Sequence, residues 1–456
     1  MDDKQGLAMS EGFVGSIKEL SSFFTSVFTP RKQWKIGCEF EKLGVDPSSG
    51  RAASYSGPHG VERILSDLSE RFGWTPHGEA SRVLALDRDS SHITLEPGSQ
   101  LELSSAPHET LHDLAAEFST HIEELRAVSA SHPIAWLGLG IQPVSAWEEI
   151  ELLPKARYDI MTRDLPRCGS LSLAMMRETA ATQVNLDYED EADAIQKFRL
   201  AMALSPLLTA LFANSAISRG RSNGFVSRRA HIWQYTDPHR CGFIENLYRA
   251  DAGFADYIEY ALDVPMLFIV REDRWIDIGE AMTFRQFLES GFREYRASRE
   301  DWALHLSTIF TETRFKPYLE IRGADCPPPE LAMTFPALVK GIFYDPEARQ
   351  AAWEIVRPWS LDERQALHLS VSLQGPRAEV RGRPIRSLIQ EIARIAAQGL
   401  RSQARRNEKG EDERIFLEPL QDRLDRGWEC PAREVLDQWE GPWDRDVKKL
   451  IAFSRF

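Results

Sequence analysis

Cysteine is scarce in this chain. There are five in 456 residues (Cys38, Cys168, Cys241, Cys326 and Cys430), an odd number with no C-x-x-C pair. That excludes a secreted disulfide framework and a thiolate zinc centre. Long apolar runs are missing as well. None approaches the ~18 uninterrupted residues of a membrane-crossing helix, so no membrane partner is expected. Basic residues are outnumbered 55 to 69, which leaves a formal net charge of −14. Such a chain lacks the basic face that a nucleic-acid partner demands. It does not exclude ATP, because a divalent cation can mediate between acidic groups and phosphates. Neither G-x-G-x-x-G nor a Walker A sequence occurs, so a nucleotide would not sit in a P-loop. The opening residues, MDDKQGLAMSEGF, place no basic segment before an apolar stretch, and the cytoplasm is the expected location. Internal repeats and low-complexity linkers are also absent.

What is present is a large potential core. Hydrophobic residues make up 43% and charged residues 27% of the chain, a globular composition. The length suits two or three units, or one large catalytic domain with an added lobe. Residues 14–28 space Val14, Ile17, Leu20, Phe24 and Phe28 as an amphipathic helix. Residues 107–130, opened by Pro107, and 190–213 predict long helices. Strands are expected over 34–43, 134–141, 182–188, 264–270 and 316–322. From about residue 329 the pattern is mostly helical, and RRNEKGEDER (405–414) reads as an exposed loop. The expected organisation is an N-terminal helix in residues 1–30, a catalytic domain over 31–358, and a helical part over 359–456 packed on it. Strands and helices mix without a βαβ rhythm, which points to an α+β fold with a largely antiparallel sheet.

One pattern recurs in four predicted strands. Residues i and i+2 of a strand share a face. In IGCEFE (36–41), Cys38 and Phe40 oppose Glu39 and Glu41. In QLEL (100–103), the leucines oppose Gln100 and Glu102. In QVNLD (183–187), Val184 and Leu186 oppose Gln183, Asn185 and Asp187. In YLEIR (318–322), Leu319 and Ile321 oppose Tyr318, Glu320 and Arg322. Each could be an ordinary strand with one solvated side. If the four share a sheet, however, their acids converge and repel unless cations sit among them. Oxygen donors of this kind suit Mg²⁺ or Mn²⁺. Paired carboxylates also serve glycosidases, with Trp233 or Trp302 as a sugar platform. Periodicity leaves metal-assisted phosphoryl chemistry and glycoside hydrolysis both open.

Longer stretches carry a family resemblance. IGCEFEKLG (36–44), ITLEPGSQLELSSAP (93–107), PKARYDIM (154–161), ATQVNLDYEDEADAIQKFR (181–199), LFANS (211–215), NGFVSRRAHIW (223–233), YALDVPM (260–266), MTFRQFL (282–288) and FKPYLEIRGAD (315–325) occur in order. With them the sequence resembles the plant-type glutamate–cysteine ligases, a family also found in bacteria, within the glutamine synthetase-like carboxylate–amine ligases. The resemblance implies a curved, mainly antiparallel sheet forming a funnel, with helices outside. It implies ATP and Mg²⁺, with Mn²⁺ as an alternative ion. The implied substrates are glutamate and cysteine, joined through a γ-glutamyl phosphate in the first step of glutathione biosynthesis. A monomer or homodimer is expected. Two alternatives stay open: a related ligase joining glutamate to another amine, and a non-catalytic relative. The complete set of convergent acids speaks against the second.

By the same resemblance, Glu39, Glu41, Glu96, Glu102 and Glu320 match metal-binding acids, with Glu102 also counted as catalytic. Gln183 and Asn185 match the wall at the metal and nucleotide. Arg322 matches a catalytic arginine that meets ATP phosphates, where a planar guanidinium bridges oxygens. Arg229, rather than its neighbour Arg228, matches the arginine that holds glutamate, and Tyr158 is a candidate for the amino-acid pocket. His231, Trp233 and His305 are expected to be structural. The sequence departs from the plant pattern at Ala180, where a plant cysteine is expected, so plant-style disulfide control is not expected here.

Overall fold

The computed structural model describes residues 16–79, 82–279 and 282–456. Its organising element is β1 (Ile36–Val45), buried along its whole length. Around it lie β2 (Thr75–Glu79), β3 (Arg82–Arg88), β4 (Ser91–Leu95), β5 (Leu101–Ser104), β6 (Ala135–Leu137), β7 (Ala181–Leu186), β8 (Thr313–Phe315) and β9 (Leu319–Asp325). Among the described residues these nine form one sheet in the order β8-β9-β7-β1-β5-β4-β3-β2, and β6 also pairs with β1. Every ladder in it is antiparallel. This is an α+β fold, and the strands with alternating polarity are neighbours.

Register turns that alternation into a surface. Glu41 stands opposite Glu102, Glu39 opposite Gln183, and Asn185 opposite Glu320. Directly opposed residues of an antiparallel pair share a face. The other face is the core side. Phe40 meets Phe118 of the helix Leu111–Ser129 with ring centroids 4.3 Å apart, and the helix Glu191–Leu211 packs on β9. One hydrophobic cluster then runs from Leu20 to Phe456. The chain end closes on the sheet as well, since Phe456 N donates to Trp136 O at 3.0 Å.

Several boundaries differ from the sequence expectation. The first helix is Ile17–Thr25, capped by the Ser16 hydroxyl, and it buries Leu20, Phe23 and Phe24, whereas Ile17 and Phe28 are exposed. Val14 lies outside the described residues. The helix expected from Pro107 begins at Leu111 with Thr110 as its cap. The residues before it stay extended because His108 exchanges backbone hydrogen bonds of 2.8 and 2.9 Å with Ile36. The segment expected as a strand over 134–141 forms one only at Ala135–Leu137, with a single further bridge from Ile141 to Thr179. Beyond it Gly138 and Gly140 pass so close to Pro327 O and Asp325 that a Cβ would lie 2.3 and 2.7 Å away. The 264–270 segment enters a strand only at Phe268–Arg271, in a hairpin with Arg274–Asp277.

The 405–414 segment is exposed except near its end. Glu413 is fully buried and binds Lys340 Nζ at 2.6 and 2.8 Å, while its Oε1 also accepts from Leu111 N at 2.6 Å. This acid ties the C-terminal part to the helices Leu111–Ser129 and Thr334–Phe343. Breaking one side of a buried pair leaves the other charge uncompensated. Glu413→Gln should therefore lower stability by about 3 kcal/mol in chemical denaturation, with the slope of the transition unchanged. A loss below about 1 kcal/mol would contradict the assignment.

Candidate active site

The polar face of the sheet is not a solvent face. Glu39, Glu41, Glu102 and Glu320 are 7%, 9%, 7% and 0% exposed. Gln183, Arg229 and Arg322 are buried with them. Burying that many ionisable groups is costly unless each is answered by a charge or a hydrogen bond.

At the β8–β9 end, cations answer. Glu320 Oε2 lies 2.5 Å from Arg314 and 2.6 Å from Arg322, and its Oε1 lies 3.0 Å from Lys316. Burial alone would raise the Glu320 carboxyl. Arg314, Lys316 and Arg322 outweigh it and hold the group well below the usual carboxylate range. A metal ion reaching Glu320 would have to displace one of those cations. At the β1–β5 end the balance reverses. Burial, then the neighbouring Glu96, push Glu41 up to about 8 against Arg229, the Ala181 N–H and Arg322. Burial followed by Glu39, Glu96 and Glu41 raises Glu102 well above its ordinary value.

Side-chain amides join the two ends. Gln183 accepts a short hydrogen bond from Arg322 and donates to Glu41 Oε1 at 3.2 Å. Asn185 donates to Glu39 Oε1 at 3.1 Å. Ala181 N supports Glu41 at 2.8 Å, and Ser104 and Thr94 donate to Glu102 at 2.8 and 3.2 Å. Among the described residues, no three His, Cys, Asp or Glu side chains already form a ready coordination shell. The donors still fit a hard divalent cation. They are carboxyl oxygens gathered on one buried face, and they repel one another when ionised.

The arginine expected to hold substrate lies at the edge of this face. Arg229 sits in the first turn of the helix Arg228–Gln234 and donates to Arg322 O at 3.1 Å. Arg228 turns away over the Phe225 ring, 5.0 Å from its centroid. Tyr158 is held elsewhere on the wall, its hydroxyl donating to Leu95 O at 3.2 Å, one residue from Glu96. Gln100, grouped with Glu102 by alternation, lies before β5 and braces the turn through Gly98 N, Met176 O and Thr179 O. Trp302 is buried against Phe284 and His305, so it offers no sugar platform. His305 donates to or accepts from nothing in the site, its Nε2 being 2.8 Å from Ala261 O.

Comparison with known proteins decides what this arrangement belongs to. The family described as "Glutamate-cysteine ligase family 2(GCS2)" matches residues 35–452. The chloroplastic glutamate–cysteine ligase B of Oryza sativa subsp. japonica is 38% identical over 437 residues, covering 95% of this chain and 86% of the relative. The chloroplastic glutamate–cysteine ligase of Arabidopsis thaliana is also 38% identical, covering 95% and 82%.

The chain belongs to glutamate–cysteine ligase family 2.

Its fold is shared more widely than its sequence. The glutamate–cysteine ligase of Francisella tularensis, solved in complex with AMP, superposes with a TM-score of 0.56 at 12% identity, covering 92% of this chain and 86% of that one. A bifunctional glutathione synthetase from Pasteurella multocida superposes at 0.50 with 14% identity, covering 95% and 52%.

Several residues of this ligase's site were not legible beforehand. Arg314 and Lys316 supply most of the charge around Glu320, but Arg314 lies in a strand too short to stand out and Lys316 directly follows it. The alternation Glu312-Thr313-Arg314-Phe315-Lys316 was the available signal. Trp233, expected to be structural, places its ring 5.9 Å from Arg229 and 5.8 Å from Arg322. Asp325 is the fourth. It is fully buried and accepts from Asn214 N at 2.8 Å, Ser215 Oγ at 2.6 Å and Ser227 Oγ at 2.9 Å, with Arg229 Nη1 at 3.8 Å. Ser215 Oγ in turn accepts from Arg229 N at 3.0 Å, and Ser227 Oγ caps the same helix at Ala230 N at 3.1 Å. Asp325 therefore sets the position of the whole turn that bears Arg229.

All five cysteines are free. Cys38 and Cys326 are fully enclosed and burial raises both thiols, so neither is poised as a thiolate.

Asp325→Asn keeps the shape but swaps an acceptor for a donor against two hydroxyls. It should raise the glutamate KM by about tenfold, the scale of one charge-assisted hydrogen bond. The ATP KM should change by less than about twofold, since that network does not touch the acids. Steady-state kinetics with each substrate varied separately checks this, and an equal rise in both constants would refute the positioning role.

Proposed function

We propose that this ligase forms γ-glutamylcysteine from glutamate, cysteine and ATP, with Mg²⁺, in the cytoplasm. The observation that carries the reading is the division of one buried sheet face into an acidic end and a cationic end, with Arg229 at its border. A triphosphate with its cation and a dicarboxylate amino acid need that division of charge.

Glu39, Glu41, Glu96 and Glu102 would hold Mg²⁺, with Glu320 bordering them. When bound, the ion neutralises phosphate oxygens and orients them. Arg322, kept in place by Gln183 and Glu320, meets the phosphates with its planar guanidinium. Arg229 takes a carboxylate of glutamate and so directs the γ-carboxylate inward. A γ-carboxylate oxygen then attacks the terminal phosphorus of ATP, and ADP leaves. The cysteine amine attacks the resulting acyl carbon, inorganic phosphate departs with the C–O bonding pair, and the nitrogen loses a proton to give the amide. The chain supplies no covalent nucleophile in this scheme; it positions reactants, compensates charge and excludes water.

Product analysis tests the reading directly. The purified protein, given ATP, Mg²⁺, glutamate and a panel of amines, should release ADP and phosphate and yield γ-glutamylcysteine by mass spectrometry. Faster turnover with another amine would reassign the acceptor and leave the phosphoryl chemistry in place. No ADP release with any amine would overturn the proposal.

A further inference from the structure

One acid on the same face lies outside the set considered so far. Glu312 immediately precedes β8, and its carbonyl accepts from Arg322 N at 3.1 Å, which continues the β8–β9 ladder. It thus stands opposite Arg322, and alternation places it on the face of Arg314, two residues on. Its carboxylate contacts His368 Nε2 at 3.1 Å, the one ion-pair partner it has within 4 Å among the described residues. The side chain is 12% exposed, so it is not sealed from whatever fills the site. A Cβ on Gly323 would lie 3.4 Å from its Oε2 and 3.3 Å from Thr209 Oγ1, so the carboxylate is in ordinary contact range of β9, beside the helix Glu191–Leu211.

Burial would raise this carboxyl, but His368, Arg229 and Arg322 together hold it below the usual value, so it is charged at neutral pH. Neither arginine closes on it. Arg229 spends one nitrogen on Arg322 O and approaches Asp325 only to 3.8 Å, leaving guanidinium donors for a ligand carboxylate. Trp233, whose ring spans both arginines, and His368 each keep a buried nitrogen without a hydrogen-bond partner. A cation and an anion held near each other but not paired, beside an aromatic wall, complement a zwitterion. The α-carbon of an amino acid presents that pair of charges.

We infer that Glu312, positioned by His368, is a specificity-determining residue that receives the α-ammonium of glutamate while Arg229 takes its α-carboxylate. The inference rests on the ligase reading above. It makes the site select an amino acid over a simple dicarboxylic acid. An acid that only balanced the arginines would not discriminate between those two ligands.

Glutarate separates the roles, because it has the two carboxylates and chain length of glutamate and no amine. In Glu312→Gln the glutamate KM should rise at least tenfold, while the inhibition constant of glutarate moves less than threefold and the ATP KM holds. Glu312→Asp keeps the charge and should recover much of the glutamate affinity. Should Glu312→Gln fail to fold by circular dichroism, Glu312→Asp carries the same comparison, with a smaller glutamate-only rise. A folded variant that loses glutamate and glutarate equally, or loses neither, overturns the inference. If wild-type protein releases no ADP from ATP with glutamate and any amine, the ligase reading fails instead.

Discussion

Like charges crowded onto one buried face are the constraint on which the rest of this structure turns. Two unit charges ~4 Å apart repel by roughly 4 kcal/mol at an effective dielectric near 20. A hydrogen bond to a charged group returns only about 1.5–3 kcal/mol. The hydroxyls of Ser104 and Thr94 therefore ease the position of Glu102 without resolving it, and its carboxyl stays raised. Glu320 shows the resolved case, with three basic side chains around one acid. The contrast lies along a few strands of a single sheet. It gives the site its polarity before any ligand enters.

The fold exists to hold that contrast still. Antiparallel register fixes Glu41 against Glu102 and Asn185 against Glu320, and the apolar residues between them anchor the strands to helices. A slip by one residue would send the acids into the core. Asp325 fixes the Arg229 helix to the end of β9 through two serines, and Lys340–Glu413 ties the C-terminal helices to the same body. Lys42 marks the cost of the design. It lies fully buried on the core side of β1, donating to Phe40 O at 2.7 Å, and burial draws its ammonium down to about 8.

Much of this was legible in the sequence because strand alternation is a local property. Glu39, Glu41, Glu102, Gln183, Asn185, Glu320 and Arg322 each announced a face within five or six residues. What was not local was not legible. Nothing in QLEL says that Gln100 precedes its strand and turns to brace the Gly98 loop. Nothing in FTETRFK says that its two basic residues surround Glu320, because a three-residue strand has no period long enough to stand out. Asp325 looked like the tail of a motif until folding brought Ser215 and Ser227 to it from another part of the chain. The helix expected from Pro107 starts only at Leu111 for a related reason, since pairing of His108 with Ile36 overrode a local start signal.

The central claim is that the acidic end of this face is built for a divalent cation. Mn²⁺ binding followed by electron paramagnetic resonance, with and without a non-hydrolysable ATP analogue, tests it most directly. The account predicts saturable binding by the wild-type protein that weakens at least tenfold when Glu41 and Glu102 are both changed to Gln, with the fold retained. Binding that is absent from the wild type under both conditions, or that survives the double substitution undiminished, would contradict it.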